Sequence, residues 1–422
     1  MILDFFSLGS FPSLIFWGGS DRPKMGPGFC GSVLDFFSPD HLPWREGDRP
    51  LWIHCVSVGE VLAVEKLIRL LLERRPRQRI VLTTVTPTGQ RIAKKWEEKR
   101  LRVFYFPFDM RFAVRRFFEA FRPSLLLLVE TEIWPNVIQE AKERGIPVGV
   151  INGRLSERSF HAFRRFPLIF RPLFGNVDFF LVQSGEDQER LLALGVSPAK
   201  VLVMGNMKLD ALDWNGRWQK DHEGLRQKWG FLSSDQVLIG GSTHAGEEEI
   251  LLRVLRRLRG EGFPLKLLLA PRHIERSPKI LKRALKEGFK STLASGLHPS
   301  SEFEILILDQ LGELRRLYAI ADAVVMGGSL VRHGGQNPIE PASFSRAIIH
   351  GPWVFNFQEI YRRLDEEGGS FRVNGEEELA FALKRILSSD REKEYLGKQA
   401  YETLRKLQGA TGRHFKWIEE KI

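Results

Sequence analysis

Cysteine is almost absent. The 422-residue chain has Cys30 and Cys55 and no others. Two thiols make no disulfide framework and show no metal-site spacing, so a reducing compartment is expected. Low-complexity tracts and clear internal repeats are missing too. No HExxH, CxxC, Ser-His-Asp order or paired acidic motif of metal character occurs, so nothing in the sequence demands a metal. P-loop and GxGxxG patterns are also absent. A long apolar run is lacking. Residues 5–17 (FFSLGSFPSLIFW) are apolar but interrupted by Gly9 and Pro12, and they fall short of the roughly 20 residues that span a bilayer. Asp4 and the lack of a basic leader argue against a secretory signal. Two readings remain for this stretch, a segment lying in a membrane interface or an extension docked on the core.

What is present fits a folded globular chain, with 43% hydrophobic and 27% charged residues. Its length suits two domains of about 200 residues each. Lys and Arg number 63 against 52 Asp and Glu, a net charge of +11. That excess favours an anionic partner: nucleic acid, a phospholipid surface or a phosphorylated substrate.

From Leu51 onward, short apolar runs alternate with amphipathic helical stretches. Residues 51–58, 79–85, 102–108, 124–130, 147–153 and 177–184 read as strands. Helical patterns start at Glu60 and run from Gly89 to Lys99. A second series follows at 236–242, 265–271, 304–309, 323–329 and 346–351. Near-continuous apolar strands alternating with helices imply parallel sheets covered on both faces. The expected fold class is therefore α/β, two Rossmann-like doubly wound domains facing a cleft. The boundaries expected are an N-terminal extension over 1–45, a first domain over 46–210, an interdomain segment over 211–235, a second domain over 236–388 and a helical tail over 389–422.

In such folds ligands bind at the carboxyl ends of the strands, so polar residues there are site candidates. Glu60 follows HCVSVG at a helix start, either in a catalytic role or simply favouring the helix dipole. Glu130 ends a Leu/Val strand, where a bare buried carboxylate is costly, so it is solvated or paired in a cleft, or else an N-cap-like acid with Glu132 in the first helical turn. Lys208 follows a strand and can neutralise a phosphate, although a solvated lysine is the simpler reading of the residues alone. GGSTHAGEEE (240–249) has a phosphate-binding geometry with Ser242 or Thr243 as cap, opposed by Glu247, Glu248 and Glu249 unless these point away. His244 there is a ligand contact or a loop histidine. Pro271 and Arg272, the helix start at 311–318 and the glycine-rich 325–342 read as a nucleotide site, where Glu340 suits ribose hydroxyls, or as a flexible loop with helix caps. Residues 156–174 place Phe160, Phe163, Phe166, Phe170 and Phe174 at helical spacing among arginines. This is a basic amphipathic pattern suited to an anionic membrane, against a core helix as the alternative.

At these segments the sequence resembles the Kdo (3-deoxy-D-manno-octulosonic acid) transferases of Gram-negative bacteria. The motifs are HCVSVGE, TTVTPTG, VETEIWPN, NGRLSERS, GNMKLD, GSTHAGEE, PRHIER and GGSLVRHGGQNPIEPA, in order from about residue 50 to 365. The resemblance implies a GT-B fold whose C-terminal helix often crosses back to the first domain. It implies inverting transfer of Kdo from CMP-Kdo to a phosphorylated, acylated lipid A precursor. That chemistry would take place at the cytoplasmic face of the inner membrane, without a cofactor and without nucleic acid as partner. It implies Glu60 as the base and Glu130 and Lys208 as transition-state stabilisers. Pro271, Arg272, Gly312, Glu313, Leu314, Asn337, Pro338, Ile339 and Glu340 match the CMP-binding segments. The first 40 residues depart from the hydrophobic anchor and basic stretch common in that family. Two rivals stand beside this reading: a GT-B enzyme with another nucleotide sugar, and a nucleic-acid-binding protein suggested by charge alone.

Overall fold

A computed structural model describes residues 48–107, 109–212, 214, 222–298 and 302–422. The expected extension over 1–45 lies outside them. Two compact units result. One holds the described residues up to Ala211 together with Gly409–Ile422, and the other is Leu212–Gln408.

The first unit is built on β1 (Leu51–Cys55), β2 (Ile80–Thr84), β3 (Leu101–Tyr105), β4 (Leu125–Val129), β5 (Val148–Gly153), β6 (Phe179–Val182) and β7 (Val201–Val203). They form one parallel sheet in the order β3-β2-β1-β4-β5-β6-β7. Side chains alternate across it. Leu51, Ile53 and Cys55 enter one core with Val61, Leu67 and Ile68 of the helix Val58–Arg74. Trp52 enters the other core with Phe117 and Phe118. Both faces are covered, which is why β1 and β4 read as continuous apolar runs.

The second unit repeats the plan with β8 (Gln236–Thr243), β9 (Leu265–Pro271), β10 (Ser291–Leu293), β11 (Ile305–Ile307), β12 (Ala323–Met326), β13 (Ala347–His350) and β14 (Ser370–Arg372). Their order is β10-β11-β9-β8-β12-β13-β14, again parallel. Strand order reverses direction between β1 and β4 in the first sheet and between β8 and β12 in the second. Those two points are where crevices open at carboxyl strand ends.

Several elements differ from the sequence reading. β10 and β14 were not foreseen, and β7 only as the strand before Lys208. Each has three residues and sits at a sheet edge, so none carries a fully buried run. The helix expected over 89–99 is Pro87–Lys94, capped by the Thr86 hydroxyl, which accepts from the Gly89 N–H. Residues 222–235 are no free linker. The helix His222–Lys228, Trp229 and Phe231 pack into the second unit, with Phe231 edge-on to Phe303. The tail over 389–422 divides, as Asp390–Lys406 lies in the second unit and Ala410–Glu419 in the first.

Candidate active site

β1 ends at Cys55, and Ser57 caps the following helix. Glu60, in that helix's first turn, folds back on the strand end. Its Oε2 accepts the Val56 N–H at 2.7 Å and its Oε1 accepts the Ser57 hydroxyl at 2.8 Å. The side chain is 5% exposed. Burial pushes the carboxyl well above its ordinary range, the charges of Glu130 and Glu132 push it further, and the two hydrogen bonds pull it back. Glu60 thus serves the helix terminus and is at the same time a strengthened base.

Across the switch point, Glu130 leaves β4 at φ +59°, a left-handed conformation few non-glycine residues adopt. Its Oε1 accepts from Lys208 Nζ at 2.5 Å. Burial pushes this carboxyl up, but the charges of Lys208 and Arg154 outweigh burial and hold it below the ordinary range. Lys208 also reaches back to the β1 turn, since a side-chain carbon on Gly59 would lie 3.9 Å from its Cε and 4.0 Å from its Nζ. Glu60, Glu130 and Lys208 are therefore brought together. The capping alternative put Glu132 in the next helix's first turn; that helix instead starts at Pro135, leaving Glu132 in the loop beside Glu130. Burial, then the Glu130 charge, raises it to about 7. The helix Pro135–Glu143 has no cap from its own Trp134. Asp109 caps it from a distance, accepting the N–H groups of Asn136 and Val137 at 3.1 and 2.9 Å.

Lys208 stands on a short turn, Met207–Leu209. The Met207 N–H is held by Asn152 Oδ1 at 2.9 Å, and the Asn152 N–H by His414 Nε2 at 3.1 Å. His414 belongs to the C-terminal helix and donates from Nδ1 to the Ala410 carbonyl at 2.8 Å, which fixes its tautomer. Asp210 accepts the N–H groups of Gly409 and Thr411 at 2.7 and 2.6 Å and caps that helix. Sequence reasoning missed Asn152, Arg154, Asp210 and His414. The NGRLSERS motif pointed near the first two. The GNMKLD motif ended on Asp210, but nothing local marks its capping role or His414, because their partners are 199 and 262 residues away in sequence.

In the second unit Pro271 closes β9 and Arg272 follows it, exposed. Gly312 turns at φ +92°, with Glu313 and Leu314 opening the helix Leu314–Leu317. Pro338 precedes the helix Ile339–Ser343, and Asn337 Oδ1 accepts the Ile339 N–H at 3.1 Å. Burial raises the Glu340 carboxyl, against the Arg315 charge and a hydrogen bond from Asn337. The 312–318 turn and the 337–340 segment therefore meet. Ser242 and Thr243 do not cap the next helix, because β8 runs through both. The cap is Gly246 at φ +98°, its N–H held by Glu249 at 2.9 Å. The three glutamates are spent. Glu247 accepts the N–H groups of His244, Gly328, Ser329 and Leu330 at 2.7 to 3.1 Å. Glu248 pairs with Arg276 at 2.9 and 3.0 Å, and Glu249 with Arg283 at 2.6 Å.

The phenylalanine stripe is not one helix. Pro167 cannot donate and disfavours helical backbone before it, so Phe166 (φ −126°, ψ 61°) separates Glu157–Arg165 from Pro167–Gly175. The bend turns Phe163, Phe170 and Phe174 into the core, with ring centroids 4.6 and 5.4 Å from Phe163. Other apolar residues stay outside: Phe166 at 44%, Leu168 at 89% and Ile169 at 43% exposure. Among the described residues no helix is long and apolar enough to cross a membrane.

Comparisons with known proteins give the family and the fold. A family model described as 3-Deoxy-D-manno-octulosonic-acid transferase (kdotransferase) matches residues 34–211. The chain is 36% identical to the 3-deoxy-D-manno-octulosonic acid transferase of Haemophilus influenzae, over 86% of this chain and 85% of that protein. It is 30% identical to the protein of that name from Aquifex aeolicus, over 85% and 91% respectively. A solved glycosyltransferase from Rickettsia africae is similar in fold over 89% of this chain and 98% of its own, with a TM-score of 0.62 at 12% identity. Staphylococcus aureus MnaA with UDP gives 0.59 at 15% identity, over 89% and 98%. At those identities the two structures speak for the two-domain α/β glycosyltransferase fold alone.

Proposed function

The chain belongs to the 3-deoxy-D-manno-octulosonic acid (Kdo) transferase family, and from that premise we propose that it transfers Kdo from CMP-Kdo to the tetra-acylated lipid A precursor of lipopolysaccharide, with inversion. One observation carries the mechanism: a buried carboxylate at the switch point, Glu60, held by one hydrogen bond on each oxygen and facing a Glu130–Lys208 ion pair. Each Glu60 oxygen keeps a further lone pair for the acceptor hydroxyl, and its raised basicity suits it to take that proton. The hydroxyl oxygen then attacks the anomeric carbon of Kdo, and the bond from that carbon to the CMP phosphate breaks.

Glu130 holds Lys208 in place, and Lys208 supplies positive charge where negative charge develops. Pro271, Arg272, Gly312 to Leu314 and Asn337 to Glu340 are read as the CMP site. The reading calls on no metal. The acceptor is a lipid, and the exposed Phe166, Leu168 and Ile169, flanked by the exposed Arg164, Arg165 and Arg171, support contact with an anionic membrane surface.

The test is product analysis by mass spectrometry, with CMP-Kdo generated in situ and the tetra-acylated precursor as acceptor. A mass gain of one or more Kdo units is expected, and the same spectrum counts the transfers. Glu60→Ala should lower turnover about 100- to 10,000-fold, as loss of a general base does, with CMP binding retained. Loss of CMP binding in that variant would overturn the base assignment. No Kdo gain by a folded, CMP-binding chain would move the donor or acceptor to another sugar.

A further inference from the structure

β8 and β12 flank the switch point of the second sheet, and each is followed by a histidine that the roles above leave unused. His244 comes directly after β8. His333 lies in the glycine-rich loop after β12. The two imidazoles stack face to face, with centroids 4.2 Å apart and 12° between planes. His273, beyond β9, meets His244 edge-on at 6.0 Å. Gln336 brings its amide nitrogen to 3.1 Å from His244 Nε2. Gly328, at φ +69°, leaves the floor bare, since a side-chain carbon there would lie 3.3 Å from both His244 Cδ2 and His333 Cβ.

Stacked imidazoles cannot both carry charge without an anion to hold them. Burial, followed by the charges of His333, His273, Arg272 and Arg276, brings His244 down to about 4, so it is neutral at physiological pH. The acids nearby do not relieve this crowding. Glu247 is saturated by four backbone N–H groups, Glu248 is engaged by Arg276 and Thr243, and Glu249 by Arg283 and Gly246. Glu275 stands 3.5 Å from His273 Nδ1 and is exposed. Cationic and N–H donor groups therefore converge at His244 and His333, where Glu247, Glu248 and Glu249 are already occupied.

We propose that His244 and His333, with Arg272 beside them, form an oxyanion subsite for an anionic group on the reacting carbon of the donor. The inference rests on the donor reading above. In CMP-Kdo that carbon carries two such groups, the phosphate and the sugar's own carboxylate. An oxyanion there accepts from the imidazole N–H groups and the guanidinium, and His244 takes up a proton from solvent as it binds. An empty subsite stays neutral at His244, and a filled one is cationic.

The test compares cytidine, CMP and CMP-Kdo on the full chain with His333→Ala and His244→Gln. His333 is exposed, so its removal leaves the fold intact even if the inner histidine's does not. If the phosphate is the ligand, CMP affinity falls about tenfold in the variants, the worth of a charge-assisted contact, while cytidine affinity is unchanged. If the carboxylate is the ligand, CMP affinity is unchanged and KM for CMP-Kdo rises by about the same factor. In either case sulfate competes for the wild-type site more strongly at about pH 6 than at about pH 8, and the variants lose that difference. CMP affinity and CMP-Kdo KM both within about twofold of wild type in His333→Ala would overturn the proposal. A wild-type chain that binds neither cytidine nor CMP would overturn the donor reading instead.

Discussion

Glu60, Glu130 and Glu132 are three acids of one kind in one small site, separated in character by their neighbours. Glu130 has Lys208 and Arg154 and stays ionised. Glu132 has neither as a partner and is pushed to about 7. Glu60 sits between these influences, raised by burial and by both neighbouring charges. Glu60 as the proposed base would work only when deprotonated, so activity should fall as pH falls through its pKa. Glu132→Gln removes one of the charges that raise it. The acid limb of the pH profile of kcat/KM should therefore move to lower pH. An unmoved limb would show that Glu132 does not couple to the base. Replacement by Asp, which keeps the charge, should leave the limb near its wild-type position.

The elements behave less uniformly than their sequence patterns. Buried strands such as β1 and β4 announce themselves as apolar runs because both faces are covered. β10 and β14 stay silent because an edge strand of three residues needs no such run. The segment Glu157–Gly175 shows a second limit. Its five phenylalanines share helical spacing, yet Pro167 bends the chain and sorts them, three into the core, Phe160 half-buried against it and Phe166 outside. The apolar surface that results centres on Leu168, which the spacing argument never selected. Leu168→Glu should weaken binding to vesicles containing anionic lipid and raise KM for the lipid acceptor, with CMP affinity unchanged. The expected loss is about tenfold, from one buried leucine exchanged for a like-charged repulsion. Vesicle binding equal to wild type would dismiss these two helices as the membrane contact.

At the scale of the molecule, the first unit is assembled from two distant stretches of chain. The returning Gly409–Ile422 closes one core through Ala410 and Ile418. Through His414 and Asn152 it also steadies the turn that carries Lys208. His414→Ala leaves the buried Asn152 N–H without its acceptor, a loss of about 1–3 kcal/mol in unfolding free energy. It should also lower kcat about tenfold or more by loosening Lys208, while CMP affinity, which the proposed donor site assigns to the other unit, holds. A drop in stability with kcat unchanged would reduce His414 to a structural role.

Much of this protein was legible in sequence because its physics is local. Apolar runs at strand length, helical periodicity between them and small residues at strand ends announce two doubly wound units, and a carboxylate ending an apolar strand has to be solvated or paired. Those rules single out Glu60, Glu130 and the 325–342 loop before any coordinates. Three-dimensional packing decided the rest. It paired Lys208 with Glu130 at 2.5 Å, where the lysine alone read as solvated. It spent Glu247, Glu248 and Glu249 on backbone and arginine partners, where their sequence opposed an anion. It stacked His244 on His333 and tied His414 to Asn152. The reason is one of range. Periodicity and capping act over a few residues, but the state of a charged or polar side chain is set by whatever the fold brings within a few ångströms of it, from anywhere along the chain.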